Sequence, residues 1–258
     1  MRLYKLKFKF DRVSLTAIIR KIIAMAGLSI NAVVCTIFFL LSRGKSTHFN
    51  YMYVSPFFCR LTLRLLNCNV NYPKKNDYPD RQVMYIFNHN SYLDILIIPS
   101  MRIPNCRYII SEVTKNVIPL LMCNISNGAL FIPRQKDEAR RLNFFKETTE
   151  KLKKEKMSIY TSPEGTHTFK HYIAPFNKGI FDMAMKAGIA ICPVYFSMKK
   201  EHNPFESFTY KGGGSTRIDL LPLIETDDWT EDNLEEKVQM VRNKFVDHFN
   251  QDHGENIK

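Results

Sequence analysis

The chain opens on an alternation of basic and apolar residues, MRLYKLKFKFDR. It then runs from residue 22 to 41 without a charge, Asn31 being the main polar break. A helix of that length covers about 30 Å, the hydrocarbon thickness of a bilayer. Arg20 and Lys21 precede the run, and Arg43 and Lys45 follow it. The pattern predicts a membrane-inserted helix. A buried helix of a soluble core is one alternative. A cleaved signal peptide is another, disfavoured by the long leading region and the length of the run. A second apolar stretch, 51–70, is broken only by Arg60 and Arg64. It reads as an interfacial amphipathic helix or as the return arm of a hairpin.

From residue 83 the periodicity changes. VMYIF (83–87) is apolar at successive positions, as in a strand covered on both faces. RYII (107–110), ALFI (129–132), MSIYT (157–161) and IAICPVYF (189–196) read the same way, and TRIDLLPLI (216–224) looks like a late strand. Between them, 136–156 carries an apolar stripe at Ala139, Leu142, Phe145, Thr149 and Leu152 on a charged helix. Residues 179–187 form another helix with Gly188 as its C-cap. Thr230 is placed to cap a terminal helix with Leu234, Val238, Val241, Phe245 and Phe249 on one side. The expectation is an α/β fold, a mostly parallel sheet with crossover helices, preceded by an N-terminal membrane-inserted helical segment. Residues 1–76 would be the anchor and 77–258 the α/β domain.

Charge sharpens this division. Of 258 residues, 37 are Lys or Arg and 25 Asp or Glu, a net of +12. Residues 1–76 hold 13 basic side chains against the single acid Asp11, so the anchor carries the whole excess and the α/β part is neutral. A nucleic-acid binder would carry its basic surface on the folded domain, so that class is disfavoured. An anionic lipid surface suits the basic segment better. Six cysteines are scattered with no CxxC pair, which argues for a reducing compartment and against a disulfide framework or zinc site.

Four short motifs sit at predicted strand ends. In NHNSYLD (88–94), His89 and Asp94 are five apart, about 140° on one regular helix. They can meet only if His89 lies in a loop and Asp94 in the first helical turn, with Ser91 as a candidate N-cap. A carboxylate there would fix the imidazole tautomer and favour general-base chemistry; as a bland alternative, Asp94 is only a helix cap. In GALFIPR (128–134) a strand delivers Arg134, suited to gripping phosphate or simply solvated. SPEGTH (162–167) is a turn that can present N–H groups and a carboxylate, or an ordinary tight turn. The fourth is the loop, helix and strand of 174–196.

Taken together and in this order, the motifs resemble those of the lysophosphatidic acid acyltransferase family, glycerolipid acyltransferases with an H-x4-D motif. The matching residues are Asn88-His89-x4-Asp94, Gly128-x-x-Phe131-Ile132-x-Arg134, Pro163-Glu164-Gly165-Thr166 and Pro193-Val194. The resemblance covers about residues 80 to 226. It implies transfer of an acyl group from acyl-CoA or acyl carrier protein, the co-substrate, to a lysophospholipid hydroxyl, with no other cofactor and no metal. It makes His89 the general base and Asp94 its orienting partner. Arg134, Glu164, Gly165, Thr166 and His167 would bind or shape the acceptor. No GxSxG elbow is present, in keeping with direct attack and no acyl-enzyme. Two departures stand out: His167 replaces the family's usual arginine, and Pro133 stands where aspartate is common. Lysophosphatidic acid is the expected acceptor. Another lysophospholipid, glycerol 3-phosphate, or a catalytically silent lipid-binding role are the alternatives. Because both acyl donors are cytoplasmic and the basic N-terminus favours that side, the active site is expected on the cytoplasmic face, which calls for a hairpin or a shallow two-helix insertion.

Overall fold

The structure, a computed structural model, describes residues 15–89, 91, 93–165, 172–198 and 214–254. Its helices are α1 (Leu15–Leu41), α2 (Thr47–Phe49), α3 (Ser55–Leu65), α4 (Asp94–Ser100), α5 (Ile118–Ser126), α6 (Glu138–Glu155), α7 (Lys178–Ala187) and α8 (Leu234–His253). Its strands are β1 (Cys68–Asn71), β2 (Val83–Phe87), β3 (Cys106–Ser111), β4 (Leu130–Ile132), β5 (Ser158–Thr161), β6 (Ala190–Ser197) and β7 (Gly214–Leu220). They form one sheet in the order β1-β7-β6-β2-β5-β3-β4. The block from β6 to β4 is parallel, β7 runs antiparallel to β6, and β1 is parallel to β7. The expected α/β fold with a mostly parallel sheet is therefore the one observed.

The sheet is covered on both faces, as the unbroken apolar strands require. Val83, Tyr85 and Phe87 of β2 point to one face with Tyr160, Cys192, Val194 and Phe196. There they meet Cys59 and Leu63 of α3 and Leu96 and Ile97 of α4. Met84 and Ile86 point the other way, into Leu152 of α6, Phe181 of α7, and Val238, Val241 and Phe245 of α8. Register places Tyr85 beside both Tyr160 and Cys192, so β2 is the central strand.

The N-terminal helices form an antiparallel hairpin. A turn through Arg43 and Gly44, both with positive φ, reverses the chain after α1. The arms then pair in opposite order: Cys35 Sγ lies 3.3 Å from Ser55 Oγ, Asn31 Nδ2 3.9 Å from Cys59 Sγ, and Gly27 abuts Thr62. A Cβ on Gly27 would fall 2.1 Å from Thr62 Oγ1, so only glycine permits this crossing. The second arm runs from α2 through a π-helical turn, Asn50–Val54, into α3. At that turn Asn50 Nδ2 donates to Cys35 O at 2.9 Å and to Ser126 O at 3.1 Å, tying both arms to α5. Residues Ile18–Leu41 of α1 are long and apolar enough to cross a membrane, and only 28% of the most apolar stretch within them is buried inside the protein. Ile22, Met25, Ile30, Leu40 and Leu41 stand exposed on α1, and Phe57 and Leu65 on α3. An apolar surface of this kind suggests membrane association.

Several expectations are corrected. The stretch 51–70 is not one helix: α3 ends at Leu65, and Cys68–Asn71 becomes an edge strand paired with β7. The sheet thus takes in residues before the boundary drawn at 76. The late strand ends at Leu220, with only an isolated bridge between Ile191 and Ile224. The charged helix is buried along only part of its predicted stripe. Ala139 is exposed and Leu142 is 74% exposed, whereas Phe145 packs against the core and Thr149 and Leu152 are buried. Thr230 lies a turn before α8, where its hydroxyl accepts the Asn233 N–H at 3.4 Å. Gly188 does end α7, at φ 63°.

Candidate active site

Strand β2 delivers Phe87 to the C-terminal edge of the parallel block, and the next residues leave the sheet. Asn88, fully buried, continues the ladder through its side chain: Nδ2 donates to Phe196 O at 3.0 Å and Oδ1 accepts Phe196 N–H at 2.7 Å. His89 follows in the loop and Asp94 opens α4. Their side chains meet, with His89 Nδ1 2.7 Å from Asp94 Oδ2. The histidine side chain is 28% exposed and the carboxylate 2%. Asp94 is thus sealed inside while the ring reaches the surface. Ser91, in the turn that leads into α4, makes the expected capping-box contacts. Its hydroxyl accepts the Leu93 N–H at 3.0 Å, while its own N–H reaches Asp94 Oδ2 at 3.4 Å.

Strand β5, next to β2, brings Pro163 and Glu164 to the same edge. Glu164 is buried, and both its oxygens take backbone donors: Oε1 from His89 N–H at 2.8 Å and Oε2 from Ala174 N–H at 3.1 Å. The turn closes on Asn177, whose Nδ2 donates to Pro163 O at 2.9 Å and to Glu164 O at 3.2 Å. Gly165 has φ +71°, and a Cβ there would meet Asn177 Nδ2 at 2.7 Å, so both conformation and space demand glycine. Thr166 and His167 lie outside the described residues.

Electrostatics follow from this geometry. Burial, the largest influence on His89, lowers its pKa, but the hydrogen bond and charge of Asp94, with the charge of Glu164, outweigh it and hold the ring above 6.5. Burial pushes Glu164 up to about 7, against the two backbone donors that favour its ionised form. With Nδ1–H donating to Asp94, the neutral ring carries its lone pair on Nε2, the tautomer a general base needs.

Arg134 is not brought into this group of contacts. It follows β4, three strands from β2 and so about 14 Å across the sheet. Its backbone N–H donates to Glu112 Oε1 at 3.1 Å and its side chain is exposed. The loop it belongs to does approach the SPEGTH turn: Gln135 Nε2 stands 3.8 Å from the position of a Gly165 Cβ. Among the described residues no three His, Cys, Asp or Glu side chains gather as metal ligands. All six cysteines are buried thiols. The sequence reading gave no role to Asn177, which stands at the start of α7 but turns its side chain to the 163–164 carbonyls instead of capping the helix.

Known proteins resemble this chain in sequence and in fold. The chain is similar to the 1-acyl-sn-glycerol-3-phosphate acyltransferase of Saccharomyces cerevisiae, 26% identical over 232 residues, 88% of this chain and 74% of the relative. It is 29% identical over 161 residues to the putative 1-acyl-sn-glycerol-3-phosphate acyltransferase acl-2 of Caenorhabditis elegans, covering 62% of this chain and 57% of that one. Thus it spans under three fifths of the nematode relative. The crystal structure of the 1-acyl-sn-glycerophosphate (LPA) acyltransferase PlsC from Thermotoga maritima matches 96% of this chain and 98% of its own. Its TM-score is 0.72 at 18% identity, which establishes the shared fold. The Acyltransferase family model matches residues 69–197, half of the chain, from β1 through β6 with all four motifs. The chain belongs to the Acyltransferase family and is an acyltransferase.

Proposed function

We propose that this enzyme transfers a fatty acyl group from a thioester, acyl-CoA or acyl carrier protein, to the free sn-2 hydroxyl of lysophosphatidic acid, giving phosphatidic acid. The observation that carries the reading is the contact of His89 Nδ1 with the sealed Asp94 carboxylate, 2.7 Å, at the open edge of the sheet. The names of its relatives in yeast and nematode support the choice of acceptor.

In this mechanism His89 Nε2 takes the proton of the acceptor hydroxyl as its oxygen attacks the thioester carbonyl. The C–O bond forms, the C–S bond breaks, and the imidazolium returns the proton to the departing thiolate. Asp94 holds the tautomer and steadies the charged ring. Glu164 fixes the backbone of His89, with Gly165 permitting its turn. Arg134, exposed in the loop whose Gln135 approaches Gly165, is the candidate grip on the acceptor phosphate, and Thr166 and His167 complete the assignment. The apolar face of α1 and α3 would lie in the membrane that holds the acceptor, with the active site on the cytoplasmic side.

Purified protein in detergent, offered lysophosphatidic acid, other lysophospholipids and glycerol 3-phosphate, each with acyl-CoA and with acyl carrier protein, tests the reading. Acylation of lysophosphatidic acid should exceed that of the others, and His89→Ala should lower it at least about 100-fold. Full activity in His89→Ala would end the general-base assignment, and a preference for a different acceptor would end the choice of substrate.

A further inference from the structure

The C-terminal helix α8 lies beyond the residues matched by the family model, yet it touches the backbone on which the site depends. Arg242, half-buried on α8, donates through Nη2 to Ile173 O at 2.8 Å and through Nε to Ala174 O at 3.2 Å. The carbonyl of Ile173 and the N–H of Ala174 belong to one peptide unit. That same N–H donates to Glu164 Oε2, whose other oxygen takes the His89 N–H. Because a peptide is planar and trans, clamping its oxygen fixes the direction of its N–H. The guanidinium sets one donor on this oxygen and a second on the carbonyl of the following peptide, a rigid fork that an ammonium cannot match. A cationic donor on the carbonyl also polarises the amide and strengthens the bond that its N–H makes to a carboxylate.

From this relay we infer that Arg242 is a positioning residue for the acyl transfer, acting through the 173–174 peptide and Glu164 on the backbone of His89. The inference rests on His89 being the base. A mere staple of α8 to the loop would use the same contacts but would affect only stability, so the two roles separate in kinetics. The contacts of Arg242 are with the peptide that holds the carboxylate that holds His89.

The experiment uses the full chain in detergent with its acyl donor and acceptor. Arg242→Met should lower kcat about 10- to 100-fold, the range for a misplaced catalytic group, with KM for both substrates little changed. Arg242→Lys, able to reach one carbonyl, should recover part of the loss. In a Glu164→Gln background, Arg242→Met should have little further effect, since residues acting as one unit are not additive. Val238→Ala is the control. It removes buried packing from the same helix while keeping the guanidinium and its two hydrogen bonds, and should lower the melting temperature while leaving kcat per folded molecule intact. Wild-type kcat in Arg242→Met, full additivity with Glu164→Gln, or an equal kcat loss in Val238→Ala would each overturn the inference. Activity surviving His89→Ala would instead overturn the general-base reading on which it stands.

Discussion

At the scale of single residues, the site separates a protected carboxylate from an accessible base. Asp94 contributes the hydrogen bond and charge that raise His89 against the pull of burial, with the charge of Glu164 adding to them. A base must be neutral to act, so kcat/KM falls as pH drops through the folded pKa of the ring, which lies above 6.5. Glu164, held at about 7, titrates in the same window, so the acid limb reports the pair. Asp94→Asn removes the main raising influence and leaves burial, so the limb should move to lower pH. The plateau should fall by about 100-fold or more, because an amide can donate to Nδ1 and shift the proton to Nε2. A pH–rate profile of the variant checks both, and a limb that stays in place would show that Asp94 does not face the reacting ring. The spacing of His89 and Asp94 after a strand made their meeting legible in the sequence. The buried brace from Glu164 to Ala174 was not, because backbone donors ten residues apart leave no mark on residue type.

Secondary-structure elements show which patterns a sequence can carry. Strand β2 was legible to the residue, since a continuous apolar run covered on both faces has few other uses. Strand β1, CNVN, lacks such a run and exists because β7, far along the chain, offers an edge to pair with. Helix α5, IPLLMCNIS, is apolar almost throughout and gives no stripe to read. In α6 the stripe holds for Phe145, Thr149 and Leu152 but not for Ala139 and Leu142, since periodicity says which side is apolar but not how far along the helix that side is covered. Leu152 is fully buried against the sheet, whereas Leu142 lies on the same helix 74% exposed. Leu152→Ala should therefore cost about 2–5 kcal/mol, the loss of buried area plus a cavity. Leu142→Ala should stay within about 0.5 kcal/mol. Denaturant unfolding of the two variants tests the contrast, and comparable losses would show that α6 packs along its whole predicted stripe.

On the scale of the whole molecule, charge and shape point the same way. Residues 1–76 hold 13 basic side chains and one acid, and the described part of that segment is a hairpin with apolar side chains facing outward. The hairpin is not a loose tether. Tyr51 hydroxyl donates to Ile103 O at 2.7 Å and Arg60 Nε to Ser100 O at 3.0 Å, so the second arm is bonded directly to the end of α4 and the loop after it. Ala24 of the first arm and Cys59 and Leu63 of the second share the core beneath the sheet. A domain held this closely cannot stand on the far side of a bilayer from the start of α1 unless α1 crosses alone, and the pairing of α1 with the second arm along its length argues against that. Peptide tags placed at the two ends, in vesicles of known orientation, should therefore be digested together or protected together. Tags of opposite accessibility would mean that α1 spans the bilayer by itself and that its contacts with α3 and α5 do not form in the membrane.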